Sequence, residues 1–238
     1  MHYGASSADW DWLSVALSLG EDLLPVVSNP DAQISPNSTM SEKGKTPSQY
    51  NRNGHVVGIT GWSQKRSTAS EITEWAKQPD YGICIQTRNV RAIDIDIDNT
   101  IIASDIRDVV FKFVKQRLPL RFRENSGKCL MPFTMPGEYG KRKITTDYGI
   151  IEFLATGQQF IACGTHTSGV RYDWKGGLPD EIPTLDPEVF DKLWAELIVR
   201  YGNEQNTSTE IKPSTKHAVL AKAIQDDSIA QHLIDSGV

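Results

Sequence analysis

Ile93-Asp94-Ile95-Asp96-Ile97-Asp98 is the stretch whose reading decides the fold. Isoleucine favours strands, and successive strand side chains point to opposite faces. The three isoleucines therefore face one side, toward a core, and the three carboxylates face the other. Like charges on one face repel, and burying them raises the cost unless something neutralises them. A divalent cation does so directly, and hard oxygen ligands suit magnesium or manganese rather than zinc. The run reads as one wall of a metal site built for phosphate chemistry. The bland alternative is a strand edge that uses acid to block aggregation.

Working outward, Tyr81 to Thr87 reads as a buried strand, and a turn at Arg88-Asn89 makes a hairpin with the aspartate strand. Downstream, Asp105 to Gln116 reads as a helix with Ile106, Val109, Val110, Phe113 and Val114 on its core face. Two strands surround Asn125-Ser126-Gly127 between Arg121 and Phe133, and Tyr148 to Leu154 and Gln159 to Cys163 are strands. Asp186 to Tyr201 is a helix with Asp186 as N-cap and Pro187 at its first position. Upstream, Trp10 to Leu24 reads as an amphipathic helix ending near Gly20, and Val26-Val27 as a short strand. Residues 28–54 are a long loop rich in Ser, Asn, Pro and Gly, and a helix opens at Ser67 to Glu71 and runs through Trp75. Residues 202–214 read as a linker and Lys216 to Ile234 as a last helix. The fold class is α/β (α+β), a mixed sheet with flanking helices. The division expected is a catalytic domain over 1–205 and a linker with a C-terminal helical element over 206–238.

The chain has 238 residues, enough for a sizeable core, with 39% hydrophobic and 23% charged residues, as in globular proteins. No apolar stretch is long enough to span a bilayer, and the N-terminus lacks a secretory pattern, so a cytoplasmic protein is expected. Three scattered cysteines, Cys84, Cys129 and Cys163, make a structural zinc site an unattractive reading. The net charge of −5 lies wholly in residues 1–40, which hold five acids and no Lys or Arg. Lys112 to Lys143 instead holds nine basic residues against Glu124 and Glu138, a local +7. Such a zone beside carboxylates suits a polyanion held against metal ions, although any single lysine is more often a solvated surface charge.

Glu152 is the second acidic signal, an acid in the apolar run Gly149-Ile150-Ile151-Glu152-Phe153-Leu154. Acids in buried strands are paired or bind metal. Asp94, Asp96 and Glu152 would make a three-carboxylate set from two strands, although spacing alone does not bring them together. Ser126-Gly127-Lys128 could offer a hydroxyl, backbone N–H groups and a cation to phosphate oxygens. His166, in a glycine-bounded loop followed by Tyr172 and Trp174, could hydrogen-bond phosphate or act as an acid; a lone histidine is more often neutral surface.

In order, these pieces resemble the bifunctional primase-polymerase domain of phages and plasmids, in the archaeo-eukaryotic primase superfamily. The matching pieces are an N-terminal helix, a Lys-x-Pro loop at Lys45-Thr46-Pro47, and a helix from Glu71 to Trp75 before Gly82-Ile83. Asp94-Ile95-Asp96 then matches the family's Asp-x-Asp, Ser126 to Lys128 its Ser-x-His motif, and Ile151-Glu152 its hydrophobic-acid motif. Gly157 to Phe160, Gly164 to His166 and Tyr172 to Trp174 look like its closing segment, so the resemblance covers about residues 10 to 200. Lys128 departs from the family's histidine and Glu152 from its aspartate, and His166 is a candidate for the missing imidazole.

The resemblance implies a template-dependent nucleotidyltransferase, a DNA primase and polymerase acting in replication of a mobile element or phage. Asp94, Asp96 and Glu152 would hold two Mg²⁺ or Mn²⁺ ions. Ser126, Lys128, Arg123 and His166 would bind the triphosphate of a dNTP or NTP. Arg117, Arg121, Lys141, Arg142 and Lys143 would contact a single-stranded DNA template. Asp98 is expected outside the metal's immediate ligands. A helicase domain or protein would be a partner, and no membrane is implied. The alternatives are a metal-dependent nuclease and a catalytically degenerate nucleic-acid-binding replication module.

Overall fold

A computed structural model describes residues 2–40, 42–124 and 126–203. The chain opens with α1 (Ser7–Asp11), where Ser6 and Asp9 cap each other's backbone N–H, and passes through a π-helical turn, Trp12–Ala16. The expected single helix from Trp10 to Leu24 is therefore broken, and Leu23 to Leu24 already belong to a strand. That strand is β1 (Leu23–Val27), and β2 (Ser48–Tyr50) and β3 (Val56–Gly58) form a small ribbon inside the expected long loop. Thr68 caps α2 (Ala69–Trp75) in a reciprocal box with Glu71, an arrangement of about 1 kcal/mol.

The next two strands, β4 (Tyr81–Gln86) and β5 (Val90–Ile97), are consecutive but do not pair. The hairpin expectation is corrected here. β4 is the centre of a three-stranded sheet, between β1 and β10 (Gln159–Cys163). β5 lies inside a six-stranded sheet whose remaining strands are β6 (Arg121–Arg123), β7 (Cys129–Thr134), β8 (Arg142–Thr146), β9 (Gly149–Leu154) and β11 (Tyr172–Trp174). Its order is β11-β6-β7-β5-β9-β8. The connecting turn is pinned, not folded back: Arg88 Nε donates to buried Asp22 at 2.7 Å, and Asn89 donates to the same carboxylate at 3.1 Å. Held there, β4 and β5 leave in different sheets and each gains partners on both edges.

The isoleucine face of β5 is fully buried. It packs on α3 (Thr100–Val114) and α4 (Pro187–Tyr201), through residues such as Ile106, Val110, Phe190 and Trp194. Capped by Asn99, α3 begins at Thr100, five residues upstream of the expected start, and Asp186 caps α4 as expected. Phe133, Phe153, Phe190 and Trp194 form an aromatic stack between sheet and helix, with Phe153 and Phe190 centroids 4.3 Å apart.

The opposite face of β5 carries Val90, Ala92, Asp94 and Asp96. Val90 and Ala92 belong to the second core, with Leu130, Leu154 and the residues of the three-stranded sheet. The small sheet thus covers one end of this face, and the carboxylates begin where that apolar cover ends. The expected linker and last helix, 206–238, lie outside the described residues.

Candidate active site

Strand register builds the site. Asp94 stands directly opposite Glu152 on β9, and on its other side opposite Leu130 on β7. Leu130 stands opposite Arg121 on β6, and Glu152 opposite Lys143 on β8. Directly opposed residues share a face. One row across the sheet therefore reads Arg121, Leu130, Asp94, Glu152, Lys143, with Asp96 on the same face two residues along β5. The two acids, 58 positions apart in sequence, are nearest cross-strand neighbours.

The carboxylates are graded in exposure: side chains of Glu152 and Asp94 are 23% and 29% exposed, Asp96 53% and Asp98 79%. Asp98 lies past the end of β5. Each acid meets a cation. Lys128 Nζ lies 2.9 Å from Asp96 and 3.4 Å from Asp98, and Lys141 Nζ lies 2.6 Å from Glu152. Lys128 is placed by a close backbone approach. A side chain at Gly127 would put its Cβ 2.7 Å from the Ile97 carbonyl oxygen, so only glycine lets this turn abut the end of β5.

Asp94 is the least compensated acid, since its nearest cation, Arg121, is 4.0 Å away. Burial, with the like charges of Asp96 and Glu152, pushes its carboxyl up to about 6, against the pull of Arg121 and Lys141. Negative charge is thus under-neutralised where Asp94 meets Glu152. That fits a hard divalent cation, and Asp94, Glu152 and Asp96 are the residues that would hold it. Among the described residues no three His, Cys, Asp or Glu side chains already converge as a metal-binding group. Lys128 and Lys141 take that neutralising role in this arrangement.

Along β6 from Arg121 the face turns basic. Arg123, two residues along β6, places Nη1 2.8 Å from His166 Nδ1. Arginine only donates, so Nδ1 accepts and the imidazole proton sits on Nε2. Burial, then the charges of Arg123, Lys45, Arg121 and Lys128, drive the His166 pKa down to about 4. Burial first, and then the four cations, keep this histidine neutral. Tyr172 on β11 completes this half: its ring lies under the Arg121 guanidinium at 4.6 Å and meets the His166 ring edge-on at 5.8 Å.

The structure distributes the remaining sequence candidates unevenly. Ser126 Oγ accepts from the Lys128 backbone N–H at 3.2 Å and so shapes the turn that carries Lys128. Arg121, expected on template phosphates, is 9% exposed and belongs to the carboxylate row. Alternation splits Lys141-Arg142-Lys143. Lys143 stands opposite Glu152 on the site face and Lys141 reaches the same acid. Arg142 turns to the helix side, pairs with Asp191 of α4 at 2.7 Å and lies over the Phe190 ring at 5.3 Å. Arg117 lines a groove of about 900 Å³ between the end of α3 and residues 174–181, a separate place from the carboxylates. Sequence reading passed over Tyr172 as a member of the site and over β8 as a strand. The period-2 pairs Arg121/Arg123 and Tyr172/Trp174 were the available signal.

The α+β domain thus sets a group of carboxylates beside a group of cations on one sheet face. Residues 13–188 match the family model of the bifunctional DNA primase/polymerase N-terminal domain, and the chain belongs to that family. Membership places it among primase/polymerase proteins, enzymes of the nucleotidyltransferase type. None of the curated proteins compared matches the chain. Among the described residues no helix is long and apolar enough to cross a membrane.

Proposed function

We propose that the protein is a template-dependent nucleotidyltransferase that makes DNA primers and extends them. The observation that carries this reading is the direct pairing of Asp94 with Glu152, with Asp96 on the same face. The 3′-hydroxyl oxygen attacks the α-phosphorus of an incoming nucleotide, the hydroxyl proton passes to solvent water, and the bond from the α-phosphorus to the bridging oxygen breaks to release pyrophosphate, which keeps that oxygen. Two Mg²⁺ or Mn²⁺ ions, when bound, supply Lewis acidity and charge neutralisation for this displacement. The chain's own residues do the rest. Asp94, Asp96 and Glu152 would hold the ions, in place of the lysines Lys128 and Lys141 that now pair with Asp96 and Glu152. Lys128, Arg123 and His166 Nε2–H then face the triphosphate, where preformed donors cost little reorganisation. Lys141 and Lys143, at the other end of the row, face template phosphates, and Arg117 meets the strand farther out. The expected setting is the cytoplasm of a cell that hosts a replicating mobile element or phage, with a helicase domain or protein as partner.

The test is incubation of the purified chain with single-stranded DNA, labelled nucleotides and Mn²⁺ or Mg²⁺, without primer, followed by a denaturing gel. A metal-dependent ladder that the Asp94→Ala/Asp96→Ala double variant loses while keeping its circular dichroism supports the reading. A double variant that still polymerises sinks it. The ion pairs already neutralising Asp96 and Glu152 favour a second reading, a catalytically degenerate DNA-binding module. That reading predicts no ladder, with DNA binding indifferent to metal. Nucleotide-independent DNA shortening would instead identify a nuclease.

A further inference from the structure

We propose that Arg121 is itself a phosphate ligand of the nucleotide site, the residue that joins its carboxylate half to its cation half, and that Tyr172 is the positioning residue that aims it. This inference rests on the nucleotidyltransferase reading and adds to it a residue and a role.

Three observations carry it. Arg121 is 9% exposed, yet its Nε has no hydrogen-bond partner among the described residues. A buried charged donor without an acceptor is costly, so a fold that keeps one is short of an anion. The nearest carboxylate, Asp94, stands at 4.0 Å, beyond hydrogen-bonding reach. The guanidinium is not loosely held, because it lies on the Tyr172 ring at 4.6 Å. With its Cζ over the ring, the guanidinium is held in place while its unpartnered Nε–H is left for an oxyanion. Cross-strand pairing supports the stack: Trp174 stands opposite Arg121 and Tyr172 opposite Arg123.

Location decides which anion. On one side of Arg121 the row continues through Leu130 to Asp94 and Glu152. Two residues along β6 stand Arg123 and, bonded to it, neutral His166, with Lys45, itself paired with Glu42 at 2.7 Å, adding to the positive charge around the imidazole. An extended polyphosphate whose reacting phosphate sits over the carboxylates and whose tail lies among Arg123, His166 and Lys45 would lie beside Arg121, the strand neighbour of Arg123 two residues back and the nearest cation to Asp94. The remaining donors of a bidentate arginine fit that phosphate, and an ammonium on a flexible stem does not replace them.

The probe is inorganic triphosphate, titrated by calorimetry into the metal-free full chain, with nucleotide KM and kcat measured in parallel. Arg121→Met, which keeps the stem and removes the donors, is expected to weaken triphosphate binding by about ten- to a hundred-fold. Arg121→Lys should recover little of that loss. Tyr172→Phe keeps a stacking ring and should bind within about two-fold of the parent, whereas Tyr172→Leu should lose binding and raise KM more than it lowers kcat. Circular dichroism and thermal melts identify any variant that fails to fold, and Tyr172→Phe against Tyr172→Leu decides the positioning role in that case. Unchanged triphosphate affinity in folded Arg121→Met overturns the proposal, even if the parent makes ladders. A parent that neither binds triphosphate nor makes ladders overturns the nucleotidyltransferase reading as well.

Discussion

The two halves of the site are built from the same sheet face and balance their charge in opposite ways. On β5 and β9 the acids Asp96 and Glu152 each have a lysine within 2.9 Å. On β6 and the loop after β10, Arg121 and Arg123 have no carboxylate within hydrogen-bonding reach among the described residues, and His166 is neutral. Two of the three acids are paired with lysines, whereas Asp94 and the two arginines have no such close partner among the described residues. Mobile lysines can leave when a competing cation arrives, since each is a point charge on a flexible stem. Arginines on a short strand held against the Tyr172 ring are more fixed in place than the lysines. Asp94 sits at the seam, with the weakest partner and the strongest like-charge neighbours.

Asp94→Asn cuts into that seam and should have the largest effect. Synthesis should fall by at least about a hundred-fold in a primed extension assay. The metal-free protein should nevertheless become more stable. Asp94 titrates near 6 in the fold, above its ordinary 3.8, so the stability tied to its protonated form is complete below about 3.8 and lost as pH rises through 6. The asparagine variant removes that loss. After allowance for partial exposure, its melting at pH 7.5 should gain about 1–2 kcal/mol, roughly 3–6 °C, and the gain should vanish near pH 4. A variant destabilised equally at both pH values would contradict the charge account.

His166 probes the basic half. Its folded pKa, about 4, lies below its ordinary 6.5, so its contribution is complete above 6.5 and lost as pH falls through 4. Imidazole resonances followed by NMR should stay in the neutral form down to about pH 5, with the Nε2 proton retained. Bound triphosphate should raise that pKa by supplying the missing negative charge. A histidine titrating near 6.5 without ligand would remove the concentration of positive charge inferred here.

The smallest contrast lies within one tripeptide. Lys143→Ala should weaken single-stranded DNA binding and reduce the salt slope by about 0.7. Arg142→Ala should leave the slope unchanged and cost about 0.5–1 kcal/mol of stability through its lost contacts with Asp191 and Phe190. Equal slopes for the two variants would mean that strand alternation does not sort these cations.

Much of this was readable from local pattern, and the unreadable parts share a cause. The strand at Asp94 to Asp96, its buried isoleucine face, the turn at Ser126 to Lys128, and α4 with its Asp186 cap follow from alternation, turn chemistry and capping. Each is set within a few residues. Partner choice was not readable. Period-2 reading gave β4 and β5 their strands but suggested that they pair, because nothing local says that Asp22, about 66 positions earlier, pins Arg88 and Asn89 between two sheets. The three-residue strand β11 was too short for its period to stand out, so Tyr172 was passed over as a stacking surface. Arg121 and Arg142 could be read as basic, but not as buried in the site and turned to α4.

Sequence alone thus determined that this chain makes an isoleucine-backed strand bearing a line of acids, with a second acid, Glu152, in an apolar strand and a basic zone between them. Those are consequences of side-chain sterics and solvation along a single strand. Tertiary structure decided that Glu152 is the acid opposite Asp94, that Lys128 and Lys141 share those carboxylates, and that Arg121 lies on Tyr172 with a donor unmet. Register between distant strands is set by the burial of two whole sheets and four helices at once, and no local run of residues carries it.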